Sequence, residues 1–159
     1  MAGGPIPCPP KQKRQIIMAD YFTNFSFTVE LPTKEAATKA IELHHKIKAV
    51  QFDDTPLTEG AGIPKQLHEL RDTWAFEVEI QKGRTLWFNS TEGGIDAVCA
   101  FVQYLLGEFD PQGRVQFEWS SDCSQPRTNA YGGGAAIVTE REIKSLSTRN
   151  WLEHQTAHL

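Results

Sequence analysis

Trp74-Ala75-Phe76-Glu77-Val78-Glu79-Ile80-Gln81-Lys82-Gly83-Arg84-Thr85-Leu86-Trp87-Phe88-Asn89 alternates apolar and polar residues on both sides of a Lys-Gly pair. Strand side chains point to opposite faces in turn. Trp74, Phe76, Val78 and Ile80 therefore share one face, and Ala75, Glu77 and Glu79 the other. Lys82-Gly83 supplies the hairpin turn into a strand over residues 84–89.

Upstream, Phe25, Phe27, Val29 and Leu31 alternate with Asn24, Ser26, Thr28 and Glu30, a first strand with one apolar face. Pro32 stops it, and Thr33 can cap a helix over residues 34–50. There Ala36, Ala40, Leu43, Ile47 and Val50 recur at spacings of four and three. Residues 51–62 connect to a short helix over about 64–72. Downstream, Gly93-Gly94 lead into the most apolar helix, residues 95–106, with Gly107 placed as a left-handed C-cap. Asp110-Pro111-Gln112-Gly113 is turn chemistry. Val115, Phe117 and Trp119 then alternate with Arg114, Gln116 and Glu118 as a fourth strand. A polar loop with Pro126 and Gly132-Gly133-Gly134 precedes a fifth strand, 135–139, and helical turns close the chain, with Thr148 capping 149–154. The order predicts an α+β domain: a ferredoxin-like βαββαβ sandwich with an added C-terminal strand and helix. Strands one and three are central, two helices cover one face, and the fifth strand extends the edge beside the fourth.

The 159 residues fit one domain, expected over 18–159. Residues 1–17 are Gly/Pro-rich at their start and read as a disordered leader. Lys13-Arg14 can be encoded by a purine-rich ribosome-binding sequence three codons before Met18, so a start at Met18 is one expectation and a genuine flexible tail the other. Cys8, Cys99 and Cys123 show no framework spacing and no signal peptide is visible, which reads as reduced thiols in a cytoplasm. No apolar run reaches the roughly 20 residues of a membrane span.

Net charge is −4, and beyond the leader 13 basic residues face 20 acidic ones. Nucleic-acid binders gain affinity by neutralising phosphates with Lys and Arg, so direct nucleic-acid binding is not expected. The glycine-aromatic motif of RNA-binding sheets is also missing. A basic protein surface is the more natural partner. The sheet face away from the helices would carry Ser26, Thr28, Glu30, Glu77, Glu79, Trp87, Gln116 and Glu118. Two readings of that face stand. It is an acidic partner-binding patch (Glu30, Glu77, Glu79, Glu118) with Trp87 as anchor, or a merely solvated face covered by the terminal helix through Trp151.

The segment from Asp122 to Gly134 holds the densest chemistry: Asp122, Cys123, Arg127, Tyr131 and Gly132-Gly133-Gly134. Backbone amides unshielded by side chains can cradle an anion, so this is a candidate ligand loop; a structured hairpin loop is the alternative. Its Cys–Arg spacing is too short for a cysteine-phosphatase loop, and no Gly-Lys-Ser/Thr follows the glycines, which excludes a P-loop. Glu92 and Asp96 repel anions at the Gly93-Gly94 turn, leaving helix initiation as its role. His44 sits on the apolar side of its helix, as a packed histidine does. No histidine lies in a His-Glu-x-x-His pair or among cysteines at zinc spacing, so neither metal nor cofactor is expected. Cys99 reads as an inert core thiol, and no catalytic residues can be assigned.

Tyr21–Phe27, Gly93–Val98, Phe117–Ser120 and Cys123–Arg127 with Tyr131–Val138 resemble a group of uncharacterised bacterial proteins encoded on plasmids, integrative elements and phages. The resemblance implies a small acidic accessory protein that binds host proteins, including defence systems; it implies no catalytic residues. The functional expectation is a non-enzymatic protein-binding factor. It would inhibit or modulate a host defence or nucleic-acid-handling complex through the acidic surface. The alternative is a small-ligand or nucleotide-binding protein, an enzyme among the options, using the 123–134 loop. Oligomeric state is left open.

Overall fold

Phe25, Val29 and Leu31 are buried while Ser26, Thr28 and Glu30 face solvent, the alternation expected of the first strand. The structure, a computed structural model, describes residues 3, 19–54, 56–57 and 61–159. Apart from Gly3, the expected leader and the start at Met18 lie outside the described residues. The elements run β1 (Tyr21–Glu30), α1 (Lys34–Ala49), α2 (Lys65–His68), β2 (Glu77–Lys82), β3 (Thr85–Ser90), α3 (Ile95–Phe109), β4 (Val115–Cys123), β5 (Gly132–Val138), β6 (Ile143–Ser147) and α4 (Thr148–Ala157). The fold is mixed α+β. Its six strands form one sheet in the order β2-β3-β1-β4-β5-β6, every pairing antiparallel.

One apolar core lies between the sheet and two helices. Ala37, Ala40 and Ile47 of α1 and Val98, Phe101, Val102 and Leu105 of α3 pack with Phe25, Val29, Leu86, Phe88 and Phe117 of the strands. Each such large side chain contributes roughly 1.5–3 kcal/mol when fully buried. Phe27 stacks between Phe88 and Phe117, with centroids 5.0 and 4.4 Å away and planes within 12°. Thr33 caps α1 as expected, its hydroxyl accepting from the Ala36 amide at 3.1 Å.

Several boundaries depart from expectation for identifiable reasons. The second strand begins at Glu77 rather than Trp74. A 3₁₀ turn, Arg71–Thr73, precedes it, the Ala75 amide donates to the Thr73 carbonyl, and the Ala75 carbonyl accepts from the Ser90 hydroxyl. Both backbone groups of Ala75 are thereby taken from a ladder. Of the four residues expected on one face, Trp74, Phe76 and Val78 are buried and Ile80 is exposed. α3 does not end at Gly107. It continues to Phe109, which packs on the core, and the Asp110 amide closes the last turn on Leu106. Gly132–Gly134 belong to β5 rather than to a loop, and Asp122 and Cys123 end β4. The sheet carries six strands where five were expected, because the 139–142 turn, held by the Thr139 amide on the Glu142 carbonyl, sends residues 143–147 back along β5. Ser147, not Thr148, caps α4, accepting from the Asn150 amide, since the Thr148 hydroxyl accepts from Gly133 instead. Among the described residues, no helix is long and apolar enough to cross a membrane.

Candidate protein-binding groove on the open sheet face

β1 changes partner midway. Its ladder with β4 ends at Asn24↔Ser120, and its ladder with β3 begins at Phe25↔Ser90. At that changeover lies an open groove of about 890 Å³. On the face away from α1 and α3 it is lined by Asn24 and Ser26 of β1, Asn89 of β3, and Glu118 and Ser120 of β4. Phe25, Ser90 and Trp119 of the opposite parity and the expected loop glycines Gly132–Gly134 also border it. Leu146 of β6, paired with Ala135, adds an exposed apolar wall. Next to the groove, Trp87 is held between Thr28 and Glu79 by register, and its Nε1 donates to Ser26 Oγ at 2.8 Å. The lining is rich in acceptors and amides, with carboxylate at the wall.

The four expected acids do not act alike. Glu30 pairs with Arg84 at 2.6 Å, so the hairpin turn neutralises it. Glu77 opens the edge strand, and its carboxylate reaches Lys48 of α1, with His44 Nε2 3.7 Å away. Partial burial works against the charge of Glu77, but the Lys48 hydrogen bond and charge, helped by His44, hold its pKa below the ordinary value. Glu79 and Glu118 have no ion pair among the described residues. The available negative charge is therefore at Glu79 and Glu118. Trp151 does not cover this face. It shares a shallow cleft with Ile95, Asp96 and Trp119, and none of the four acids lines that cleft.

The 122–134 segment is built as architecture. The Asn24 side-chain amide donates to Asp122 at 3.4 Å, and Cys123 pairs with Tyr21. Ser124 exchanges two hydrogen bonds with the backbone of Asp20. Arg127 and Tyr131 are exposed, and Arg149 donates to the carbonyl of Asn129, which sits at φ 61°. The three glycines lie in ladder register with β4, and the Gly133 amide donates to Thr148. A Cβ on Gly134 would stand 2.1 Å from Trp119 Cζ2, so the indole lies directly over this glycine. Close packing against Trp119 and Thr148 accounts for glycine at these positions.

Burial, with the Asp96 charge, pushes the Cys99 thiol up to about 11, which keeps it protonated. No group of three or more His, Cys, Asp or Glu side chains is placed to hold a metal among the described residues. Asn24, Asn89 and Ser120 were missed as site residues from sequence. Asn24 and Asn89 share strand parity with Ser26 and Trp87, so alternation could have found them; Leu146 depended on β6, which was not foreseen. Comparison of the chain with protein-family models, curated proteins and solved structures gives no match.

Proposed function

We propose that this protein is a non-enzymatic binding factor whose open sheet face receives a basic segment of a partner protein. The observation that carries this reading is the groove at the β1 changeover, with the carboxylate of Glu118, which has no ion pair among the described residues, in its wall and Glu79 beside Trp87. An Arg side chain suits such a place. Its planar fork matches a carboxylate bidentately and stacks on aromatic faces, and Asn24, Ser26 and Asn89 can satisfy its remaining donors. Host defence or nucleic-acid-handling complexes carry basic grooves of this chemistry, which agrees with the mobile-element resemblance. We also infer a ferredoxin-like core. Supporting it is the order β2-β3-β1-β4 of the first four strands, with α1 leading from β1 to β2 and α3 from β3 to β4.

The test is titration of the isotopically labelled full chain with a synthetic Arg-rich peptide, followed by amide NMR. Shifts centred on Asn24, Ser26, Asn89 and Glu118 are expected, and they should vanish in Glu79→Lys/Glu118→Lys. Shifts elsewhere, or binding unchanged by the double reversal, would overturn the assignment.

A further inference from the structure

α4 closes with His154-Gln155-Thr156-Ala157-His158, and an i, i+4 spacing puts two side chains on one face of adjacent turns. The imidazole centroids lie 4.3 Å apart, with planes at 45°. Both histidines are exposed. His158 is the C-cap of the helix, and its Nδ1 lies 2.8 Å from the His154 carbonyl oxygen. A carbonyl oxygen only accepts, so Nδ1 carries the proton in this contact and Nε2 keeps a free lone pair. An N–H donated to a backbone carbonyl is how metal-ligating imidazoles are held in tautomer and orientation. Spacing and tautomer thus point the same way, although helical spacing alone would suit stacking at a helix end.

We propose that His154 and His158 form a two-point surface site for a divalent first-row transition metal, the remaining coordination positions being filled by water or a donor from another molecule. Imidazole nitrogen suits copper, nickel and zinc, and with no geometry enforced by a closed cage the affinity follows the order in which copper exceeds nickel and zinc. Two protein ligands fall short of the four of a structural zinc site, so the metal is exchangeable and the fold does not depend on it. The site is separate from the groove and stands whether or not the groove binds a partner.

The experiment is calorimetric titration of the untagged full chain with copper, nickel and zinc chlorides in turn. One metal per chain is expected, tightest for copper. His154→Asn and His158→Asn should each weaken binding at least about tenfold, the scale on which even outer-shell partners of a metal matter. His45→Asn should leave binding unchanged. Unaltered far-UV circular dichroism would show that the variants keep the fold, since neither imidazole is buried. With zinc, imidazole nitrogen NMR should move at His154 and His158 alone. Absence of binding at millimolar metal, uptake that survives loss of both imidazoles, or zinc shifts centred on another histidine overturns the proposal.

Discussion

The His44 imidazole is 1% exposed, and its Nδ1 accepts the Trp74 indole proton at 3.0 Å, so its own proton sits on Nε2, toward Glu77. Trp74, Phe76 and Phe101 rings surround it. Burial lowers its pKa from 6.5 to about 4; Lys48 and His45 push the same way, and Glu77 opposes them. The native state therefore binds fewer protons than the unfolded chain between those two values. The stability this contributes is complete above about pH 6.5 and is lost as pH falls through about 4, on the order of 3 kcal/mol in all. The lowered pKa of Glu77 adds a further loss in the same direction, beginning below its ordinary value of 4.5. Urea unfolding between about pH 7 and about pH 5 should show the midpoint falling. His44→Gln, which keeps an acceptor for Trp74, should flatten that window. A wild-type midpoint that does not move there would contradict the buried neutral imidazole.

Two glycines show how an element's neighbours set the sign of the same substitution. Gly134 of β5 lies under the Trp119 indole, and the Leu146 carbonyl oxygen stands 2.4 Å from where a Cβ would be. Gly134→Ala should cost about 1–3 kcal/mol, as overpacking does. Trp119→Leu should relieve part of that cost, since the carbonyl contact stays, and a double-mutant cycle in denaturant would measure the coupling. Gly107 lies exposed inside α3 with nothing within 4 Å of a Cβ. Gly107→Ala should stabilise by about 0.5–1 kcal/mol through helix propensity and a less free unfolded chain. A Gly107→Ala loss would mean that α3 bends there in solution. The same pair marks what sequence can disclose. Period-two runs in β1 to β4 and the three-four spacing of α1 are local, and they were legible. Gly107 looked like a stop because the pull of Phe109 onto the core is not local. The glycine triplet looked like a loop because only a neighbouring strand reveals the indole that needs the space. β6 was invisible because Ile143-Lys144-Ser145-Leu146-Ser147 buries almost nothing and owes its place to pairing with β5.

Over the whole molecule, an excess of four negative charges says that a basic partner is favoured but not where it sits. The fold answers that by neutralising some acids and leaving others. Glu30 already faces Arg84 and Glu77 already faces Lys48, so removing either charge frees a cation on the protein as well as losing an anion. Glu79 and Glu118 carry no such partner among the described residues, and Glu118 lines the groove. With the same Arg-rich peptide, Glu118→Gln and Glu79→Gln should each weaken binding more than Glu30→Gln. The largest loss should come at Glu118, where a guanidinium would be partly desolvated. Raising ionic strength from about 0.01 to about 0.15 M shortens the Debye length from about 30 to about 8 Å. That change should slow association for every variant alike, while the ranking among variants persists because it arises at contact. If all three neutralisations cost the same and salt erases the differences, the face acts through its overall field. The groove at the β1 changeover would then not be where the partner is seated.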